Sequence, residues 1–139
     1  MHPVHPMLVH APIACWALTP VCDALALALN REEFWIVSAF LAAAGVVLGA
    51  LAATAGSLDF ESGHAAAPKI AMAHAALMGG AWVLSTIGAL GRFAPDYSPL
   101  SPPLWWAIAA GAGALVLMIG GAWCGGEMVY GRGVGVRRD

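Results

Sequence analysis

Phe34–Gly56 reads FWIVSAFLAAAGVVLGALAATAG and contains no charged residue. A bilayer's hydrocarbon core is about 30 Å thick, which about 20 residues cross as a helix rising 1.5 Å each. No water is available there, so backbone amides must be satisfied within the segment itself. The stretch therefore predicts a transmembrane helix.

Three more blocks of the same kind surround it, at Met7–Leu29, Pro68–Gly91 and Pro103–Gly126. Their connections are short, which makes consecutive helices antiparallel neighbours. The expected architecture is all-α, an integral membrane up-down-up-down four-helix bundle, with residues 1–139 as one transmembrane domain. Boundary chemistry agrees. Asn30-Arg31-Glu32-Glu33 is a polar turn, Pro68 suits a first helical turn, and Ser98-Pro99-Leu100-Ser101-Pro102-Pro103 is a stiff loop before the last helix. Phe34, Trp35, Trp105 and Trp106 are expected in an aromatic belt at one interface. Gly45, Gly49 and Ala53, and likewise Gly121 and Gly125, form small-residue rows that allow close helix approach.

Composition excludes several classes. The chain is 60% hydrophobic and 10% charged, with a mean hydropathy of +0.78, whereas soluble domains carry about 25% charged residues. Six scattered basic residues and a net charge of −2 leave no basic face for nucleic acid. Cys15, Cys22 and Cys124 lie inside apolar blocks and read as small apolar side chains. No CxxCH occurs, which argues against covalent haem attachment. No nucleophile–base pair has a defined spacing, so no independent catalytic activity is expected. Lys69, Arg132, Arg137 and Arg138 against Arg31 and Arg92 place both termini in the cytoplasm by the positive-inside rule.

Polar side chains gather toward the end that holds the termini. His2, His5 and His10 open the first helix, while Asp59, Glu61 and His64 follow the second. His74 sits within the third, and Glu127 and Tyr130 close the fourth. An ionisable group in a setting such as Ala71-Met72-Ala73-His74-Ala75-Ala76 usually faces the bundle interior. Counting 1.5 Å per residue puts His10 ~5 Å and His74 ~9 Å from the nearby membrane edge. On that count the two imidazoles face each other at similar depth, as axial ligands of a b-type haem would. Ala73, Ala75, Ala76, Gly79 and Gly80 leave room for the plate. His5 and His64 are expected as a second axial pair, or on a haem propionate or quinone. Asp59, Glu61, Glu127 and the histidines could instead hold a divalent metal. Pro3 and Pro6 are expected to keep the first residues from regular helix.

These residues also resemble a family. His2-Pro3-Val4-His5-Pro6-Met7-Leu8-Val9-His10-Ala11-Pro12-Ile13 looks like the opening of the small bacterial membrane proteins of domain of unknown function 2231. Gly56-Ser57-Leu58-Asp59-Phe60 resembles that family's Gly-x-x-Asp-aromatic segment, and His74 its third-helix histidine. Gly125-Gly126-Glu127-Met128-Val129-Tyr130-Gly131-Arg132-Gly133-Val134-Gly135-Val136 is similar to its glycine-rich C-terminal signature. The likeness covers essentially the whole chain; Ala11 departs from it, since members more often have Phe there. It implies a four-helix module of the bacterial inner membrane that keeps company with redox proteins.

Three functional expectations follow. The first is a b-type cytochrome module passing electrons between a redox partner and the quinone pool. His10 and His74 would ligate iron, with one or two b haems bound. His5, His64, Asp59, Glu127 and Tyr130 would form the surrounding shell or a quinone site. The second is a histidine-cluster protein that binds or transports a divalent metal. The third is a non-catalytic membrane anchor of a larger complex.

Overall fold

The computed structural model describes the backbone of residues 4–134 and the side chains of 4–58 and 67–134. His2, Arg137 and Arg138 lie outside the described residues, as do the side chains of Asp59, Glu61 and His64. Helices α1 (Val4–Leu8), α2 (His10–Leu29), α3 (Glu32–Ala66), α4 (Pro68–Leu90) and α5 (Trp105–Gly126) follow in order. A π-helical turn, Glu127–Gly131, extends the last of them. Four stretches are long and apolar enough to cross a membrane: Val4–Leu29, Glu32–Leu58, Pro68–Leu90 and Trp105–Gly131.

Two local expectations are corrected. Residues 4–8 are helical despite Pro6, because Pro6 falls in the first turn, where its missing N–H has no intrahelical partner to lose. The Val9 N–H still bonds the His5 carbonyl at 3.1 Å, and Ile13 N–H the Val9 carbonyl at 3.2 Å. α1 therefore leads into α2 with one irregular residue, placed where Pro12 cannot donate to the Leu8 carbonyl. The second helix does not stop at Gly56 but continues to Ala66, so the loop expected around Asp59 and His64 is helical backbone.

Thr19, Asp23, Ser38, Ser85 and Arg92 are buried among apolar residues, while Phe40, Val47, Leu51, Val83, Val116 and Ile119 face outward. Polar groups inside and an apolar outer face are what lipid as solvent selects. α2 packs on α3 and α5, and α4 packs on the same two helices, so α2 and α4 stand on the diagonal.

Glycine makes the close contacts possible. The Trp16 indole lies over Gly45 and Gly49, where an added Cβ would come within 2.6 Å of the ring in each case. Met78 uses Gly121 in the same way, at 2.5 Å. The row expected on the second helix thus holds at Gly45 and Gly49, while Ala53 is exposed and Ala52 is buried instead. Trp82 donates its Nε1–H to the Val46 carbonyl at 2.9 Å, tying α4 to α3. Trp16, Ala81 and Met118 form the mid-bundle core.

At the end away from the termini, Trp35 is 7% exposed and belongs to the core, not to the expected belt; Trp105, 78% exposed, suits it. Residues 91–104 close on themselves as a loop between α4 and α5. Leu100 N–H bonds the Arg92 carbonyl at 2.8 Å and Leu104 N–H the Gly91 carbonyl at 3.1 Å. Within this loop Asp96 accepts from the Ser98 amide and hydroxyl, which holds its carboxyl below the usual carboxylate range. Beneath the loop, Arg92 forms a buried ion pair with Asp23.

The two hairpins, α1–α3 and α4–α5, repeat one another. His5 bonds Ala52 and His74 bonds Gly121, each across 47 residues. The differences 74 − 5, 121 − 52, 125 − 56 and 92 − 23 are all 69, which matches His5 with His74, Ala52 with Gly121, Gly56 with Gly125, and Asp23 with Arg92. Both hairpins run in the same direction, so the relation is that of parallel repeats about an axis along the membrane normal. Equivalent positions meet at each end of the molecule.

Candidate functional site

At the termini end the two equivalent histidines meet. The His5 and His74 rings have centroids 6.4 Å apart and planes at 85°, and both residues are half-buried. His5 Nδ1 lies 2.8 Å from the Ala52 carbonyl of α3. His74 Nδ1 lies 2.8 Å from the Gly121 carbonyl of α5. A carbonyl oxygen only accepts, so each Nδ1 is the protonated, donating nitrogen. While the rings are neutral, each Nε2 therefore carries a free lone pair. Each accepting carbonyl belongs to a helix, whose second lone pair is available beyond the helical bond.

Glycine again sets the geometry. A Cβ on Gly56 would stand 2.8 Å from His5 Nδ1, in the path of the bond to Ala52. A Cβ on Gly125 would stand 3.3 Å from His74 Cε1. The motif is a histidine on one helix, and on the next a carbonyl acceptor with glycine one turn later. It occurs once in each hairpin.

The expected pairing of His10 with His74 is corrected. His10 is exposed, and the ring that meets His74 is that of His5. Five residues separate His5 from His10, which at 3.6 residues per turn rotates the second side chain about 140° away from the first. Glu127 and Tyr130 do not join the pair. Glu127 is exposed, with Oε1 3.7 Å from Arg132 Nε, and it fills the space a Gly131 side chain would take. Tyr130 is 92% exposed. Among the described residues no group of three or more His, Cys, Asp or Glu side chains comes together to hold a metal ion.

A family model described as a predicted membrane protein (DUF2231) matches residues 1–138. The chain belongs to the DUF2231 family. No curated protein and no solved structure matches the chain. The site of this DUF2231 protein therefore rests on its own geometry: two imidazoles, one from each hairpin, each fixed through Nδ1 to a helix carbonyl. Sequence reading does not pair Asp23 with Arg92 at the other end. The 69-residue offset that relates both pairs is the signal that finds them, as a search for internal repeats would.

Proposed function

We propose that this protein is a b-type cytochrome module of the bacterial inner membrane, with His5 and His74 as the axial pair for a single haem. The observation that carries the reading is the pair of imidazoles anchored through Nδ1. A histidine that ligates metal almost always donates its other ring N–H to a carbonyl or carboxylate, which fixes both tautomer and orientation. Both rings meet that condition before any metal is considered.

Distance and ligand count favour haem over a bare ion. With metal–nitrogen bonds of about 2.0–2.1 Å, and roughly 1.1 Å from nitrogen to ring centre, two opposed imidazoles on one metal stand about 6.3 Å apart. The observed 6.4 Å matches that span in length, and a turn of one ring out of its edge-to-face contact would bring the two into opposition. A structural zinc site needs four protein ligands, and the described residues supply two. A porphyrin brings its own four nitrogens and leaves two axial positions for protein. Small residues flank His74: Ala73, Ala75 and Ala76 are exposed, and a Cβ on Gly79 would meet nothing within 4 Å. The Trp16–Ala81–Met118 core lies deeper and would bound the plate from below. Bound there, a b haem would supply reversible one-electron chemistry.

In this reading Ala52 and Gly121 orient the axial rings through their carbonyls, and Gly56 and Gly125 leave them space. The chain relays electrons between a redox protein partner and the quinone pool, with its termini on the cytoplasmic side. Tyr130, exposed at the same end, is available to a partner or to a quinone headgroup. The test is a pyridine haemochrome assay on full-length protein expressed with haem supplied. One protohaem per chain is expected. Stoichiometric zinc, copper or nickel without porphyrin would overturn the reading in favour of a metal-binding protein. A protein with neither would leave the anchor role.

A further inference from the structure

The Asp23–Arg92 pair has more hydrogen-bonding capacity than the protein satisfies. Arg92 Nη2 donates to Asp23 Oδ2. Four other buried atoms, Arg92 Nε, Arg92 Nη1, Asp23 Oδ1 and Trp16 Nε1, find no partner among the described residues. Arg92 is 0%, Asp23 2% and Trp16 4% exposed. An unpartnered polar group in a bilayer costs several kcal/mol, since no solvent there can compensate it. Beside them lies a cavity lined by Trp16, Thr19, Ser85, Gly88, Arg92 and Gly111, among others, in which the centre of a water molecule has about 10 Å³ to occupy. That is the room one water needs.

We propose that this cavity binds a single water molecule, which accepts hydrogen bonds from Arg92 and Trp16 and donates to the hydroxyl oxygens of Thr19 and Ser85. Room and charge favour water over an ion. Water accepts two hydrogen bonds and donates two, so it takes one N–H group from Arg92 and one from Trp16 and donates to the Thr19 and Ser85 oxygens of the lining. A small anion such as chloride is larger than the single water for which this space suffices. It would also add a negative charge beside a carboxylate whose charge Arg92 already balances. The hydrated pair joins the two hairpins at equivalent positions, so the water is part of the connection between them. This site is independent of the haem reading.

X-ray radiolytic hydroxyl labelling of the full-length protein in lipid nanodiscs tests the proposal, because trapped water generates radicals beside side chains that bulk solvent cannot reach. Trp35 is similarly buried and does not line this cavity, so it is the internal control. The expected result is Trp16 oxidation several-fold faster than Trp35, unchanged when chloride is replaced by gluconate, and reduced in a Ser85→Val variant that narrows the cavity. Equal, slow labelling of the two tryptophans in the unaltered protein would show a dry cavity and overturn the proposal. Labelling or thermal stability that depends on chloride at constant ionic strength would assign the site to an anion and overturn it equally. Both of these readouts use the natural sequence, so they hold even if Ser85→Val fails to fold.

Discussion

His5 and His74 stand edge to face with 6.4 Å between ring centres, and each is tied through Nδ1 to a carbonyl on the following helix at the same 2.8 Å. The two rings come from equivalent places in two repeated hairpins.

Glycine at position 56 is what lets His5 reach its carbonyl, and the contacts rank the consequences. Gly56→Ala puts a methyl group 2.8 Å from His5 Nδ1, while Gly125→Ala leaves 3.3 Å to His74 Cε1. Loss of the His5–Ala52 hydrogen bond alone is worth about 1 kcal/mol, and displacement of a well-packed ring adds about 1–3 kcal/mol. Gly56→Ala is therefore expected to lower both thermal stability and haem content more than Gly125→Ala does. Differential scanning fluorimetry and Soret absorbance per chain measure the two effects.

The ion pair at the other end predicts strong non-additivity. Asp23→Ala or Arg92→Ala leaves the partner charged and buried, which costs about 3–5 kcal/mol. Replacing both, as Asp23→Leu with Arg92→Met, removes the uncompensated charge and is expected to cost far less than the sum of the single changes. A double-mutant cycle by thermal or denaturant unfolding in a mild detergent gives the coupling. Additive losses would mean that the two side chains do not share a buried contact.

Ring orientation has a spectroscopic counterpart. The imidazole planes are at 85°, and the two anchoring hydrogen bonds hold each ring against rotation. Should His5 and His74 hold a haem with their planes still crossed, the oxidised protein would give a highly anisotropic low-spin EPR signal. A Gly125→Ala variant, which presses on His74 Cε1, is expected to shift that signal. An ordinary rhombic spectrum like that of parallel imidazoles would show that the rings turn when haem binds.

Much of the fold is legible in the apolar blocks, because lipid requires long uncharged helices and short turns give the order. Azimuth and local context are less so. The depth of His10 can be estimated by counting residues, but counting says nothing about which side of the helix it occupies. The inward stripe of the first hairpin runs through Pro12, Trp16, Thr19 and Asp23, all buried. Stepping back from Pro12 by seven residues gives His5, not His10. Trp35 reads as an interfacial anchor from its neighbours, yet it is buried, through tertiary packing that no local pattern encodes. Asp23 and Arg92 lie 69 residues apart, and their pairing becomes visible only when the hairpins are superposed on one another.

The most direct measurement is a reduced-minus-oxidised absorption spectrum of the purified, haem-replete chain beside its His5→Ala, His74→Ala and His10→Ala variants. The account predicts a b-type spectrum in the unaltered protein, its retention in His10→Ala, and its loss in both His5→Ala and His74→Ala. A spectrum that survives His5→Ala but disappears in His10→Ala, or a chain that takes up no haem at all, would contradict it.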